Sequence, residues 1–469
     1  MTAAVIAAGL LIGTVQQPGL PLQDPLNWWL YLFETDSQAM LPGTFPLTVT
    51  TFLQDFSTIG ESPLVSFLSV RSSSPISDGA IPELSLTGTA AAEILAIAGN
   101  TETRSGATLR FFVDILPGLY LDERLSLWAG SDEKPPDYFS PFHEGSEAGR
   151  HLYVDWGYLH WNNETVSLGF GRIPQKWGPG RFTQLLISDN SPPLDMLKVQ
   201  FDLMEELKFT GFSATIDSDS GTYLTAHRLD ISPAHNLRIG LSEAILFKSE
   251  GFDFAYMNPV IPWYPVQWNE REDDNAFFTL DASWRPWRGL ETYGELLIDD
   301  IQYENTDDRP NKLGWTLGLS ASLNSLDLGA VIEYTRIDRF VYSQLRPCNY
   351  YLHDGKIIGS ALGPDADRIT LSLGTSAAWP VLAEATVDHT RHGEGTVAEG
   401  WPDSAATGGK FPSGIVEYVT SAELHLGWYP ADLLEIHGRA GNTWTRNLDH
   451  TSGETSSDFS TSLELICNW

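Results

Sequence analysis

Segments of about ten residues in which apolar and polar side chains alternate recur along most of this chain, and successive residues of a strand must face opposite sides of a sheet. In LGWTLGLSASL, Leu313, Trp315, Leu317, Leu319, Ala321 and Leu323 fall on one face, opposite Gly314, Thr316, Gly318, Ser320 and Ser322. The neighbouring LDLGAVIEYTRI repeats the scheme. In AFFTLDASW the apolar face is Ala276, Phe278, Leu280, Ala282 and Trp284, opposite Thr279, Asp281 and Ser283. In LLEIHGRAGNTW, Leu434, Ile436, Ala440 and Trp444 oppose Glu435, His437, Arg439 and Thr443. The chain is therefore all-β, but a soluble sandwich and a membrane barrel both satisfy the alternation.

Three further features select a transmembrane antiparallel β-barrel. Connections alternate between short turns (Pro117-Gly118, Asn162-Asn163, Ser232 to Asn236, Pro286 to Gly289, Asn324-Ser325, Trp379-Pro380, Tyr429 to Asp432) and long segments (131–150, 249–274, 338–367, 392–416, 445–458). That is the asymmetry of a sheet whose two ends face different compartments, with the short turns on the periplasmic side. Aromatics gather at strand ends, at Trp284 and Trp287, Trp379, Trp428 and Tyr429, and Trp444, as in headgroup-level girdles. The terminus FSTSLELICNW alternates through Leu463, Leu465 and Cys467 and stops on Trp469, like the closing strand of bacterial outer-membrane barrels.

Parity then counts the crossings. Strands at 88–97, 107–116, 119–129, 151–161 and 164–171 bring the chain to the outside, and 205–217 must also run outward. A return is needed between them, and TQLLISD, Thr183 to Asp189, is the expected downward crossing. The Pro- and Gly-rich stretch before it, residues 172–182, is then expected to fold into or over the lumen. The total is about 18 strands, an even number, with both termini in the periplasm.

The apolar run MTAAVIAAGLLIGTV has signal-peptide length but lacks a positive n-region, and residues 1–20 are expected to be that signal. Residues 21–60 are expected to form a periplasmic helical hairpin. Asp24 caps a helix with Pro25 in its first turn and Leu26, Trp29, Leu30 and Phe33 on one face, and Thr48 caps another with Val49, Phe52, Leu53 and Phe56. The barrel is expected over residues 84–469.

Charge excludes one class of partner. The 28 basic residues face 61 acidic ones, a formal net charge of -33, so nucleic acid is not a ligand. Cys348 and Cys467 have no metal-ligand spacing, and neither a metal nor a cofactor is expected. Nor is catalysis: there is no GxSxG, P-loop or HExxH. The carboxylate pairs Asp273-Asp274, Asp299-Asp300 and Asp307-Asp308, and Asp388 beside His389, are sequence neighbours that a strand points to opposite faces.

Three ordered segments, GRIPQKWGPGRFTQLLISDNSPP, MNPVIPWYP with the later DDNAFFTLDASW, and YLHDGKIIGSALGPDADRITL, resemble the capsule-assembly outer-membrane family Wzi. The resemblance covers most of residues 24–469. It implies a bacterial outer-membrane barrel, closed by a periplasmic helical element, whose outer face retains capsular or exopolysaccharide as a lectin does. The matching positions are Arg172, Trp177, Gly178, Pro179, Gly180 and Asn190, then Asn258, Pro259, Asp274 and Asn275, then His353, Gly355, Gly359, Gly363 and Asp365. Trp, Arg, Asn and His supply the stacking faces and planar polar groups that sugars require, whereas the glycines and prolines suit loops folded into the lumen. Arg172 and Trp177 lead the binding candidates because two prolines would hold that segment rigid.

The acidic surface repels acidic polymers at long range, so the expected ligand is a neutral or cation-bridged surface polysaccharide or a lipopolysaccharide. HTRHGEG makes a small local reversal of charge through His389, Arg391 and His392, and Arg391 joins the candidates. Outer-membrane lipid is the remaining partner, and the barrel is expected to be monomeric. The rival reading is a diffusion porin with an acidic lumen.

Overall fold

The computed structural model describes residues 44–45, 83–97, 100–130, 150–163, 165–250, 253–258, 261–270, 274–301, 310–323, 327–378, 380–400, 410–431 and 434–468. The apolar leader, the two N-terminal helices, Pro259, Asp273, Asp307-Asp308, Trp379 and Trp469 lie outside the described residues.

Eighteen strands form one antiparallel ring: β1 (Glu83–Ile97), β2 (Asn100–Leu116), β3 (Leu119–Gly130), β4 (Arg150–Asn162), β5 (Val166–Ile173), β6 (Leu194–Met204), β7 (Leu207–Asp217), β8 (Thr222–Ala234), β9 (Leu237–Lys248), β10 (Asn275–Trp287), β11 (Leu290–Asp300), β12 (Lys312–Leu323), β13 (Leu328–Ile337), β14 (Ala366–Ala378), β15 (Val381–His392), β16 (Glu417–Ala431), β17 (Leu434–Arg446) and β18 (Thr455–Asn468). Each pairs with its sequence neighbours. The ring closes between the first and last strands, where Thr89 lies opposite Asn468 and Ile97 opposite Ser460.

Side-chain exposure separates a membrane barrel from a sandwich, because the apolar face is the one turned outward. On β12, Leu317 and Leu319 are 59% and 41% exposed while Thr316 and Ser320 are fully buried. On β14, Ile369, Leu371 and Leu373 are exposed, and Thr370 and Ser372 point into the lumen. A water-soluble sheet would invert this arrangement. Trp284, Trp287 and Trp428 stand exposed near the short-turn end and Trp444 near the long-loop end, which gives the apolar band an aromatic border on both sides. The lumen is polar and internally paired: Arg228 Nη1 lies 2.5 Å from Asp281 with Asp230 at 2.9 Å, and Arg110 lies 2.7 Å from Asp122. No described helix is long and apolar enough to span a membrane.

The strand count agrees with parity, but one strand lies elsewhere than expected. Thr183 to Asp189 is not a crossing. Leu185, Leu186 and Ile187 are at most 1% exposed and lie inside the barrel, and the return is β6. The expected strand over 205–217 starts two residues later, because Glu205-Glu206 is a turn between β6 and β7. The connection after β5 therefore runs over 174–193 and is longer than the expected 172–182. Not every connection at the long-loop end is long, since β7 and β8 are joined by a turn at 218–221.

Candidate functional site

Three long connections fold inward at one end of the ring, and the hydrophobic core sits where they meet the wall. Trp177, Leu185, Leu186 and Ile187 from the connection after β5 pack with Tyr342, Tyr351 and Ile358 from the connection after β13. Phe212, Leu224, Ala244, Phe277, Leu297 and Ile337 line the wall around them. Burial forces the backbone groups of these irregular segments to find partners inside the barrel.

They find them in each other and in wall carboxylates. Trp177 N donates to Ile187 O at 2.9 Å, which folds residues 177–187 back on themselves. Ser188 N donates to Ile358 O at 2.9 Å, Ser188 Oγ to Gly359 O at 2.5 Å, and Asn190 Nδ2 to Ile357 O at 2.8 Å. Tyr342 Oη donates to Leu185 O at 2.5 Å and accepts from Ser360 N at 3.2 Å. From the wall, Glu333 accepts Arg181 N at 2.6 Å, Phe182 N at 3.2 Å and Tyr293 Oη at 2.9 Å. Glu295 accepts Leu185 N at 3.1 Å, Glu291 pairs with the Arg181 guanidinium at 2.7 Å, and Arg368 reaches Thr183 Oγ1 at 2.6 Å. The arrangement is a lock: carboxyl oxygens on rigid strands accept backbone donors of the plug, and the Arg181–Glu291 ion pair adds a charge-assisted bond.

The glycines of the motifs serve this packing. Gly178 has φ +107, and a Cβ there would lie 2.8 Å from a Glu295 carboxylate oxygen. A Cβ on Gly359 would lie 2.2 Å from Leu185 O, at the place where the two connections touch. Asp354 and Gly355 form the positive-φ turn of a small hairpin, Leu352–His353 with Lys356–Ile357.

The structure distributes the candidate residues unevenly. Gly178, Gly180, Asn190 and Gly359 belong to the lock, with Pro179 on the same segment. Trp177 is 1% exposed and meets Phe212 edge-on at 5.4 Å, so neither ring face is open to a sugar, contrary to its expected role as a stacking platform. Asn275 is buried and donates to Asn349 O at 2.9 Å, and Asp274 beside it is 7% exposed. Asp365, at φ +57, receives Gly395 N at 3.1 Å and Ser413 N at 3.0 Å, which ties the connections after β13 and β15 together. Gly363 occupies a turn just before it. Asn258 is exposed.

Arg172 remains accessible. It pairs with Asp195 across β5 and β6 at 2.8 Å, on the outward face at the rim. The His353-Asp354 hairpin tip stands within electrostatic reach of that pair. Burial keeps the His353 imidazole below its ordinary pKa, opposed by the Asp354 carboxylate, and its Nδ1 contacts Ile216 O at 3.2 Å. Burial likewise holds the Tyr342 and Tyr351 hydroxyls protonated.

The residues that hold the plug were missed in the sequence: Arg181, Glu291, Glu295, Glu333 and Tyr342. A clue was present in GLETYGELLID, where Glu291, Tyr293 and Glu295 are alternate residues and so stand in succession on one strand face. Three polar, hydrogen-bonding side chains in register on a lumenal face need something inside to bind. Of the carboxylate pairs, Asp388 and His389 do face opposite ways: Asp388 meets Ser421, and His389 meets Thr420 on the outer surface. Among the described residues no group of His, Cys, Asp and Glu forms a metal site.

The sequence matches the family described as capsule assembly protein Wzi over residues 100–458. No curated protein matches it. The solved outer-membrane protein Wzi of Escherichia coli, described as a carbohydrate-binding β-barrel involved in group 1 capsule assembly, is similar at TM-score 0.63 and 12% identity, over 94% of this chain and 97% of that one. OprD of Pseudomonas aeruginosa is similar at TM-score 0.51 and 12% identity, over 84% and 95% of the two chains. OccD3 of the same organism is similar at TM-score 0.50 and 10% identity, over 84% and 92%. At these identities the likeness establishes a shared barrel fold.

Proposed function

The chain belongs to the capsule-assembly Wzi family, and from that premise we propose that this outer-membrane barrel binds surface polysaccharide without chemistry, on the face formed by its long connections. The observation that carries the reading is the locked plug. Connections cross-linked to wall carboxylates make a poor solute path and a well-ordered exterior, and pre-ordered polar groups lose little entropy on binding a glycan. The accessible group in this reading is the Arg172–Asp195 pair with the His353-Asp354 tip, which offers planar donors and acceptors to sugar hydroxyls.

With a net charge of -33, the favoured ligand is a neutral polymer, an acidic one bridged by divalent cations, or a lipopolysaccharide. A glycan array probed with the detergent-solubilised barrel, with and without calcium, tests this. Binding to a defined polysaccharide class supports the reading, and calcium dependence marks a bridged acidic ligand. A barrel that is folded by its heat-dependent gel shift yet silent on all glycans in both conditions overturns it.

A further inference from the structure

The charge reversal at HTRHGEG belongs to a larger pattern that the strand register exposes. Directly across six consecutive strands, β13 to β18, lie Arg336, Asp367, Arg391, Tyr418, Arg446 and Thr455. Two residues back along each strand lie Tyr334, Ile369, His389, Thr420, Trp444 and Ser457. Two further back lie Ile332, Leu371, Val387, Ala422, Asn442 and Phe459. Spacing by two keeps all three rows on one face, and the exposed Ile332, Leu371, Val387 and Phe459 identify it as the lipid face. The rows thus grade from apolar, through aromatic and hydroxyl, to a cation row about 7 Å further along the strands than Trp444.

The geometry of the cation row suits a phosphate. Arg446 is exposed, lies 4.2 Å over the Tyr418 ring, and makes no ion pair among the described residues. Arg391 spends Nε and one terminal nitrogen on Asp367, whose second oxygen also takes Tyr334 Oη at 2.8 Å, and this leaves the other Arg391 terminal nitrogen outside that pair. Arg336 lies 3.7 Å over Phe411 and pairs with Asp338. Each guanidinium is fixed by an aromatic ring or a carboxylate, which presents the remaining N–H fork with little freedom to lose.

We propose that this outward-facing row, centred on Tyr418 between Arg391 and Arg446, binds the phosphorylated sugar headgroup of an outer-leaflet glycolipid. Acyl chains of that lipid lie along the apolar row below, the sugars meet Trp444, Tyr418 and the hydroxyls, and the phosphate meets the guanidinium groups. In a chain with 61 acidic residues against 28 basic ones, three arginines on alternate strands of one rim row, separated by Asp367 and Tyr418, single out one arc of the barrel for anionic lipid. The inference rests on the long-loop end facing outward and is independent of glycan capture by the loops.

The test reconstitutes the full chain in nanodiscs containing diphosphoryl lipid A, the same lipid after phosphatase treatment, or phosphatidylglycerol, and counts lipids retained after mild delipidation by native mass spectrometry. The wild type retains diphosphoryl lipid A at least about tenfold better than the phosphatase-treated lipid, the scale of one charge-assisted hydrogen bond. Arg446→Gln, an exposed change without an ion pair to break, and the double variant Arg446→Gln with Arg336→Gln lose most of that preference while their glycan-array response stays at the wild-type level. Equal retention of the phosphorylated and dephosphorylated lipids, equal retention of phosphatidylglycerol, or an unchanged preference in Arg446→Gln would overturn the proposal. A silent glycan array with intact lipid preference would leave this site standing and count against polysaccharide capture alone.

Discussion

At the scale of single residues, Trp177 shows how the same side chain reads differently from sequence and from structure. A Trp beside two prolines reads as a rigid stacking platform, but here it is sealed between the plug and Phe212. Trp177→Ala should therefore lower stability by about 3 to 5 kcal/mol, the usual cost of removing a buried Trp. Glycan bound per folded barrel should not change. Unfolding midpoints in detergent, taken alongside array binding normalised to folded protein, check this, and normal stability with lost binding would return Trp177 to the ligand site.

His353 supplies a pH prediction with a definite sign. Its folded pKa is lowered by burial, so below about pH 6.5 the unfolded ring takes up a proton that the folded ring does not. The hairpin's stability is therefore fully present above that pH and falls as pH drops toward the lowered folded pKa. Amide exchange over residues 352–357 should accelerate between pH 7.5 and pH 5 relative to the intrinsic rate, and His353→Gln should remove the extra acceleration. An identical profile in the variant would show that another group drives the change.

At the scale of elements, most strands were legible because a lipid face and a polar lumen impose a period of two, and a strand cannot satisfy both without displaying it. The plug was not legible as a unit. Leu185, Leu186 and Ile187 are apolar because they are buried, and burial inside a lumen leaves the same trace as burial in a sheet. The true return strand hid for the opposite reason. On β6, Leu194 and Met196 face inward against the plug while Leu197 faces lipid at 60% exposure, so apolar residues occupy both faces. The return is made by β6 in place of residues 183–189, so parity and the count of eighteen are unaffected. Gly359→Ala probes the lock directly, because its Cβ would displace Leu185 O. In planar bilayers the parent should carry little steady current and the variant should open intermittently. Large, steady currents through the parent would instead favour the porin reading.

At the scale of the whole molecule, the chain is a membrane barrel with connections folded into its lumen at one end, and the proposed reading puts its ligand surfaces at the outer end and rim. Fold alone does not name a ligand, since the outer-membrane protein OprD shares the barrel at TM-score 0.51 and 12% identity. The reading rests on the family, the lock and the charge. Calcium should raise binding of any acidic polymer and leave a neutral one unchanged, because screening and bridging act only where charges repel. The most direct measurement compares cells that lack this chain with cells that regain it, scoring surface polysaccharide in cell-bound and released fractions. The account predicts that deletion moves polymer from the cell-bound fraction into the medium with total polymer unchanged, and that restoring the chain reverses the shift. An unchanged cell-bound fraction after deletion would contradict it.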